Sequence, residues 1–93
     1  LIRIEVEAET LGQVRECLEL VSVDGVLLDN MTLEAMKEAV QLRNDSGRRL
    51  FLEASGNLSL ERARAVAETG VDFLSVGALT HSAPAVDLSL RMD

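Results

Sequence analysis

Acidic side chains stand at the ends of two predicted strands. Glu7 ends the alternating run IRIEVE, and Asp29 follows the apolar run VLL directly. Carboxylates from neighbouring strand ends can chelate the vicinal hydroxyls of a sugar, a magnesium ion, or both. The structural alternatives are a solvated face of an edge strand for the first run and ordinary turn chemistry for Asp29 and Asn30. Position at the strand terminus favours Glu7 as the functional member of its run.

Two glycine-containing turns offer the groups that bind an anion. Ser55, Gly56 and Asn57 provide a hydroxyl, a close backbone approach and the N–H groups of a following helix. The stretch SVGALTH provides a second turn with Gly77 and the single histidine, His81, whose imidazole can bind a phosphate oxygen. Strand-to-helix turns need small residues in any case, and a lone histidine is commonly structural. Together the two turns predict a phosphate site.

Charge and composition exclude several classes of protein. The chain of 93 residues carries nine basic and sixteen acidic residues, a formal charge of −7, and 2% aromatic residues. Such a surface is unsuited to nucleic acid. One cysteine, Cys17, and the lack of an apolar run near twenty residues predict a cytoplasmic protein without a membrane span. We expect Cys17 to be a small core residue, and the chain has no Cys/His cluster for zinc.

Apolar periodicity predicts the elements that position these groups. Short β-branched runs predict strands over Ile2 to Val6, Gly25 to Leu28, Leu50 to Leu52 and Phe73 to Val76. Helical spacing joins Leu11, Val14, Leu18 and Val21; Leu33, Met36 and Val40; and Leu60, Ala63, Val66 and Ala67. Thr32 and Ser59 are placed as N-caps, and Gly70 as a helix stop.

The alternation of these elements predicts a parallel α/β fold of four strands and three main helices. A repeat supports it, because AETGVDFLSVGA echoes VSVDGVLLDN, with Val-Asp leading into the strand each time. An open doubly wound sheet and a barrel segment both fit the periodicity. Every predicted strand ends in polar or glycine residues, which favours the rim of a TIM-like (β/α)-barrel over a single switch point.

Four motifs carry a family resemblance over nearly the whole chain: EVE at 5–7, GVLLDNM at 25–31, LEASGN at 52–57 and AETGVDFLSVGALTHSAPAVDLSLRM at 67–92. In this order and spacing they resemble the carboxyl-terminal part of quinolinate phosphoribosyltransferase, also called nicotinate-nucleotide pyrophosphorylase (carboxylating). The resemblance implies a magnesium-dependent enzyme of NAD biosynthesis. Such enzymes join quinolinate to phosphoribosyl pyrophosphate and release pyrophosphate, carbon dioxide and nicotinate mononucleotide.

The resemblance also implies residue roles. Glu7 and Asp29 match the acidic pair that contacts the ribose hydroxyls and the magnesium-bound substrate, and so become the predicted catalytic and metal-binding residues. The matching phosphate-binding residues are Ser55, Gly56, Asn57, Gly77 and His81. Asn57 departs from the family, which usually has a second glycine there, although asparagine tolerates left-handed backbone angles better than other non-glycine residues.

Family members are about three times longer, so residues 1–93 are expected to be one carboxyl-terminal barrel segment that lacks the amino-terminal domain and first barrel strands. An acidic segment cannot bind two polyanions by itself. The resemblance implies that the basic half of the site lies in the rest of the parent and partly in a partner subunit of a homodimer or larger oligomer. Two alternatives stay open: a non-catalytic phosphate-binding half-barrel, and another phosphate-binding barrel enzyme.

Overall fold

A computed structural model of the chain describes residues 2–56, 59–76 and 88–91. The elements follow one another in the order β1 (Glu5–Ala8), α1 (Leu11–Glu19), β2 (Gly25–Asp29), α2 (Leu33–Ser46), β3 (Phe51–Gly56), α3 (Leu60–Ala67), β4 (Phe73–Val76) and β5 (Leu88–Arg91).

Strands β1 to β4 are parallel and lie side by side in chain order. Helix α1 packs against α2, and α2 packs against α3. A doubly wound sheet reverses its strand order at a switch point, whereas a barrel adds each strand beside the one before it. The predicted barrel-type arrangement of four parallel strands and three helices is therefore confirmed.

Strand β5 was not predicted. It pairs antiparallel with β4, with Leu90 opposite Leu74 and Leu88 opposite Val76. Residues 77–87 are fewer than the dozen or so that a parallel crossover usually needs, so a return in the opposite direction is the shorter route. The run LSLR is only one short alternation, too brief to predict a strand by itself.

The hydrophobic core lies between the sheet and the helices. Residues on the helix-facing side of the strands are buried, and they meet buried residues of α1, α2 and α3; the set includes Val26, Leu28, Leu52, Ala54, Leu74, Val14, Met36, Ala39 and Val66. Cys17 is also buried there, as predicted, and burial raises the pKa of its thiol. Because strand side chains alternate, the residues between the buried ones lie on the opposite face.

Several predicted boundaries were wrong. Strand β1 begins at Glu5 rather than Ile2, whose side chain is 88% exposed, because β2 starts to pair with β1 only at Glu5. Helix α1 ends at Glu19, which leaves Val21 91% exposed, and Leu60 is 73% exposed at the start of α3. Helix α3 ends at Ala67, before the predicted stop at Gly70.

The helices begin immediately beyond the carboxyl ends of the strands. The predicted caps are confirmed, since Thr32 Oγ1 accepts from Ala35 N at 3.1 Å and Ser59 Oγ accepts from Arg62 N at 3.1 Å. Thr10 begins α1 in the same way, in a capping box with Gln13. Parallel strands and short turns thus bring three helix N-termini to one edge of the sheet.

Candidate functional site

A polar row crosses the sheet at the carboxyl edge. Asp29, the last residue of β2, pairs in register with Ser55 of β3, and Ser55 pairs with Ser75 of β4. Their neighbours Leu28 and Ala54 are buried against the helices. The row therefore lies on the face that the helices leave uncovered.

Glu7 lies on this same face, one row deeper. It pairs with Leu27, two residues before Asp29, and its side chain is exposed. The structure thus brings Glu7, Asp29 and Ser55 to one face and one end of the sheet. Asp29 and Ser55 belong to the ends of strands rather than to the turns that follow them.

Charged residues continue below the polar row. Ser75 Oγ lies 2.5 Å from Glu53 Oε2, a hydrogen bond to the carboxylate. Partial burial against the sheet and the nearby Glu53 carboxylate raise the pKa of Glu5, and the Arg3 guanidinium opposes that rise. Arg3 lies over the Phe51 ring, 5.5 Å from its centroid. This face therefore carries charge as well as apolar surface.

Phenylalanine occupies the space that a glycine leaves on this face. The ring of Phe51 lies where a Cβ of Gly25 would stand, so any larger residue at position 25 would displace it. The ring of Phe73 meets Phe51 edge to face, with 5.3 Å between centroids. Phe51 and Phe73 are the first residues of β3 and β4, so this apolar pair lies toward the amino-terminal edge of the sheet, away from the polar row at the carboxyl edge.

A cavity of about 440 Å³ opens at the carboxyl edge between β2, β3 and α3. Its polar walls are formed by Asp29, Asn30, Ser55, Gly56 and Arg62. Asn30 adopts a left-handed φ of 55°, which turns the chain away from β2 directly after the carboxylate.

Two methionines and a glycine complete the lining of this cavity. Met31 and Met36, both buried, form its apolar floor. Gly56 has φ 156°, an angle that residues with a side chain rarely adopt, so the backbone beside Ser55 is exposed for close approach. An apolar floor with polar walls suits a small polar ligand that carries an anionic group.

The remaining predicted anion-site residues, Asn57, Gly77 and His81, lie outside the described residues. Their predicted roles stay predictions. Gly56 and Val76 are paired, so β3 and β4 reach the same edge together, which is the arrangement that the two-turn hypothesis requires.

Two residues of this region were not predicted from the sequence. Ser75 was missed although it begins the motif SVGALTH, from which Gly77 and His81 were predicted. Arg62 was missed because helical periodicity predicts only that it lies away from the core, without indicating which loop it faces.

The acidic residues of the candidate site were predicted to bind a metal ion. Within 2–56, 59–76 and 88–91, His, Cys, Asp and Glu form no group of three that could hold a metal ion. Two carboxylates suit magnesium when substrate phosphates complete the coordination, and the donor chemistry of Glu7 and Asp29 fits that mode.

Among the described residues 2–56, 59–76 and 88–91, none of the helices has the length and apolar character that a membrane span requires.

Parallel strands wound in chain order, with helices on one face and polar groups at the carboxyl edge, define a segment of an α/β barrel. The sequence model of the family described as quinolinate phosphoribosyl transferase, C-terminal domain, matches residues 1–91. The chain belongs to this family.

Relatives of known name are similar to this chain in sequence, and a solved structure is similar to it in fold. Quinolinate phosphoribosyltransferase (decarboxylating) 2a, mitochondrial, from Nicotiana tabacum is 42% identical over 99% of this chain and 29% of its own length. Nicotinate-nucleotide pyrophosphorylase (carboxylating), chloroplastic, from Arabidopsis thaliana is 40% identical over 97% of this chain. The structure of the nicotinate-nucleotide pyrophosphorylase from Francisella tularensis superposes with a TM-score of 0.71 at 39% identity, over 94% of this chain and 30% of that protein. The chain spans less than a third of the length of each of these.

Proposed function

We propose that this chain is the carboxyl-terminal barrel segment of a quinolinate phosphoribosyltransferase and forms the ribose- and phosphate-binding half of its active site. The parent enzyme would transfer the phosphoribosyl group to quinolinate and release pyrophosphate and carbon dioxide, yielding nicotinate mononucleotide for NAD biosynthesis. The observation that carries the proposal is the common face and edge of Glu7, Asp29 and Ser55 in a chain of this family.

The two carboxylates suit the chemistry at the ribose. As pyrophosphate leaves, the anomeric carbon gains positive, oxocarbenium-like character, and fixed negative charge nearby stabilises that state more than the ground state. Glu7 and Asp29 would hold the ribose hydroxyls and supply this charge. Magnesium, if bound, would be held by the same carboxylates together with substrate oxygens and would neutralise the departing pyrophosphate.

The phosphate of the phosphoribosyl group would lie beside Ser55, next to the two carboxylates. The Ser55 hydroxyl and the backbone at Gly56 line the cavity there. Asn57, Gly77 and His81 would complete the cradle, as the family resemblance implies.

The acidic balance explains why the proposal concerns half of a site. With nine basic against sixteen acidic residues and a net charge of −7, this chain has too little positive charge to bind both quinolinate and pyrophosphate by itself. Those cations, and the groups that promote decarboxylation, would come from the remainder of the parent and from the partner subunit of a homodimer or larger oligomer.

We also propose a cytoplasmic location, which rests on the single cysteine and the absence of an apolar span in the sequence. The names of the tobacco and Arabidopsis relatives assign those proteins to the mitochondrion and the chloroplast. Imaging of the full-length protein fused to a fluorescent protein distinguishes the compartments.

The direct test is product formation by the full-length protein. Purified protein, quinolinate, phosphoribosyl pyrophosphate and magnesium should yield nicotinate mononucleotide and carbon dioxide in equal amounts. Omission of magnesium should abolish turnover. If nicotinate replaces quinolinate as the accepted substrate, or no nucleotide forms, the proposed reaction is wrong.

A further inference from the structure

Arg62 extends across the cavity at the carboxyl edge. It belongs to the first turn of α3, and its side chain lines the same cavity as Asp29 and Ser55. Its Nη2 lies 3.5 Å from the carbonyl oxygen of Met31, which follows β2. The guanidinium therefore reaches from the helix after the serine turn toward the turn after Asp29.

A positive charge in this cavity would reduce the repulsion between the Asp29 carboxylate and a bound phosphate. A phosphate bound at Ser55 and Gly56 would share a cavity of about 440 Å³ with the Asp29 carboxylate, and two anions at such separations repel each other. Of the described residues that line the cavity, Arg62 is the one that carries positive charge.

The Arg62 guanidinium has N–H donors beyond the one that contacts Met31. It has five N–H donors in a planar fork, and its long contact with the Met31 carbonyl uses one of them. The fork matches two oxygens of a phosphate. The side chain is exposed, so a ligand can reach it without displacing core residues.

We propose that Arg62 binds the phosphate monoester of the phosphoribosyl substrate beside Ser55 and Gly56, and so offsets the repulsion from Asp29. This inference rests on the proposed function and adds a phosphate ligand from α3. The competing role is structural: Arg62 would only hold the Met31 carbonyl and the turn after Asp29.

The test compares Arg62→Gln, Arg62→Lys and Arg64→Gln in the full-length protein. Arg64 is a suitable control, because it is an exposed arginine on the same helix that lines a separate groove with Leu60 and Glu68. Two readouts are measured: the dissociation constant of inorganic phosphate, by titration calorimetry, and the steady-state constants for both substrates.

We expect Arg62→Gln to weaken phosphate binding and raise KM for phosphoribosyl pyrophosphate by about tenfold, the usual size of a lost charge-assisted hydrogen bond. KM for quinolinate should stay unchanged, Arg62→Lys should recover part of the loss, and Arg64→Gln should match the parent protein. Unchanged phosphate affinity in Arg62→Gln, whether or not kcat falls, would overturn the inference, as would an equal loss in Arg64→Gln. The calorimetric result stands even if no nicotinate mononucleotide forms, so failure of the proposed reaction is distinguishable.

Discussion

Asp29 combines two properties at one residue: it ends a buried parallel strand, and its side chain lines the cavity at the carboxyl edge. Burial of Leu28 on the helix-facing side of the sheet places the side chain of Asp29 on the opposite side. In the proposed reaction, this placement would put negative charge beside the ribose carbon as positive charge develops there.

We therefore expect Asp29→Asn to lower kcat of the full-length protein at least tenfold. Asparagine keeps the shape of aspartate and removes its charge, and each tenfold change in rate corresponds to about 1.4 kcal/mol in the barrier. Asp45→Asn is the control, because Asp45 is exposed near the end of α2, where it accepts a hydrogen bond from Gln41. Equal rates for Asp29→Asn and the parent protein would remove Asp29 from the mechanism.

The raised pKa of Glu5 predicts that the stability of the fold depends on pH. Its pKa is raised above the ordinary value of 4.5, first by partial burial and then by Glu53, so the folded chain binds this proton more tightly than the unfolded chain. Stability consequently falls as pH rises from 4.5 through the raised pKa.

Glu5→Gln should thus raise the melting temperature of the chain at pH 7 and make no difference below pH 4. Thermal unfolding followed by circular dichroism at several pH values measures the effect. Glu38→Gln, on the exposed side of α2, should change stability by no more than about 0.5 kcal/mol. A stabilisation by Glu5→Gln that is the same at every pH would contradict the assigned cause.

At the scale of elements, the Val-Asp repeat has a structural counterpart. Asp24 accepts a hydrogen bond from Ile4 N at 2.7 Å through Oδ2 and donates its own N–H to Ile4 O at 2.8 Å. Asp72 makes the same two bonds with Leu52, each at 2.8 Å. Each aspartate therefore sets the register of the strand that it precedes against the neighbouring strand.

The two repeats differ in one contact. Arg43 Nη1 donates to Asp72 Oδ2 at 2.6 Å and to the carbonyl of Leu50 at 3.1 Å, and its side chain is only 13% exposed. Among the described residues, no cation lies within salt-bridge distance of Asp24.

Asp72→Ala should accordingly lower the free energy of unfolding by about 1–3 kcal/mol, because it leaves the mostly buried Arg43 guanidinium without its carboxylate partner and the Leu52 N–H without its acceptor. Asp24→Ala should cost less, since it removes only the backbone contact. Urea denaturation measures both changes. Equal losses in the two variants would mean that Arg43 contributes nothing at this position.

At the scale of the whole molecule, the sheet is open. Within 2–56, 59–76 and 88–91, the outer edges of β1 and β5 pair with no other strand, and the charged face of the sheet is not covered by helices. Unpaired strand edges readily pair with another chain. A closed barrel has no unpaired edges, because its first and last strands pair with each other.

We expect the isolated 93 residues to self-associate or aggregate at high concentration. Gel filtration with light scattering over a concentration series measures the mass. A single monomeric species at the highest concentration would contradict the open-edge argument. Glu5→Gln serves as a comparison, because loss of one charge on the uncovered face should favour association.

The isolated chain should also form no detectable nicotinate mononucleotide. Its net charge of −7 opposes the binding of both polyanionic substrates, and the proposed basic half of the site is absent from it. The same assay on the full-length protein is the positive control. Turnover by the 93 residues alone would show that the basic half is dispensable.

The sequence by itself determined the succession of elements from β1 to β4 and the end of the sheet at which polar groups gather. Apolar period, the caps at Thr32 and Ser59, and the residues that follow each strand are local features, so they can be read without the fold. Glu7, Asp29 and Ser55 became candidate site residues in this way.

Only the tertiary structure decided which strands lie together and in what register. Pairing aligned Ser75 with Ser55 and Asp29, turned β5 antiparallel, and brought Arg62 of α3 to the turn after β2. These contacts join residues between 12 and 31 positions apart. No local pattern encodes them, because they depend on how the apolar faces of the strands and helices pack into one core.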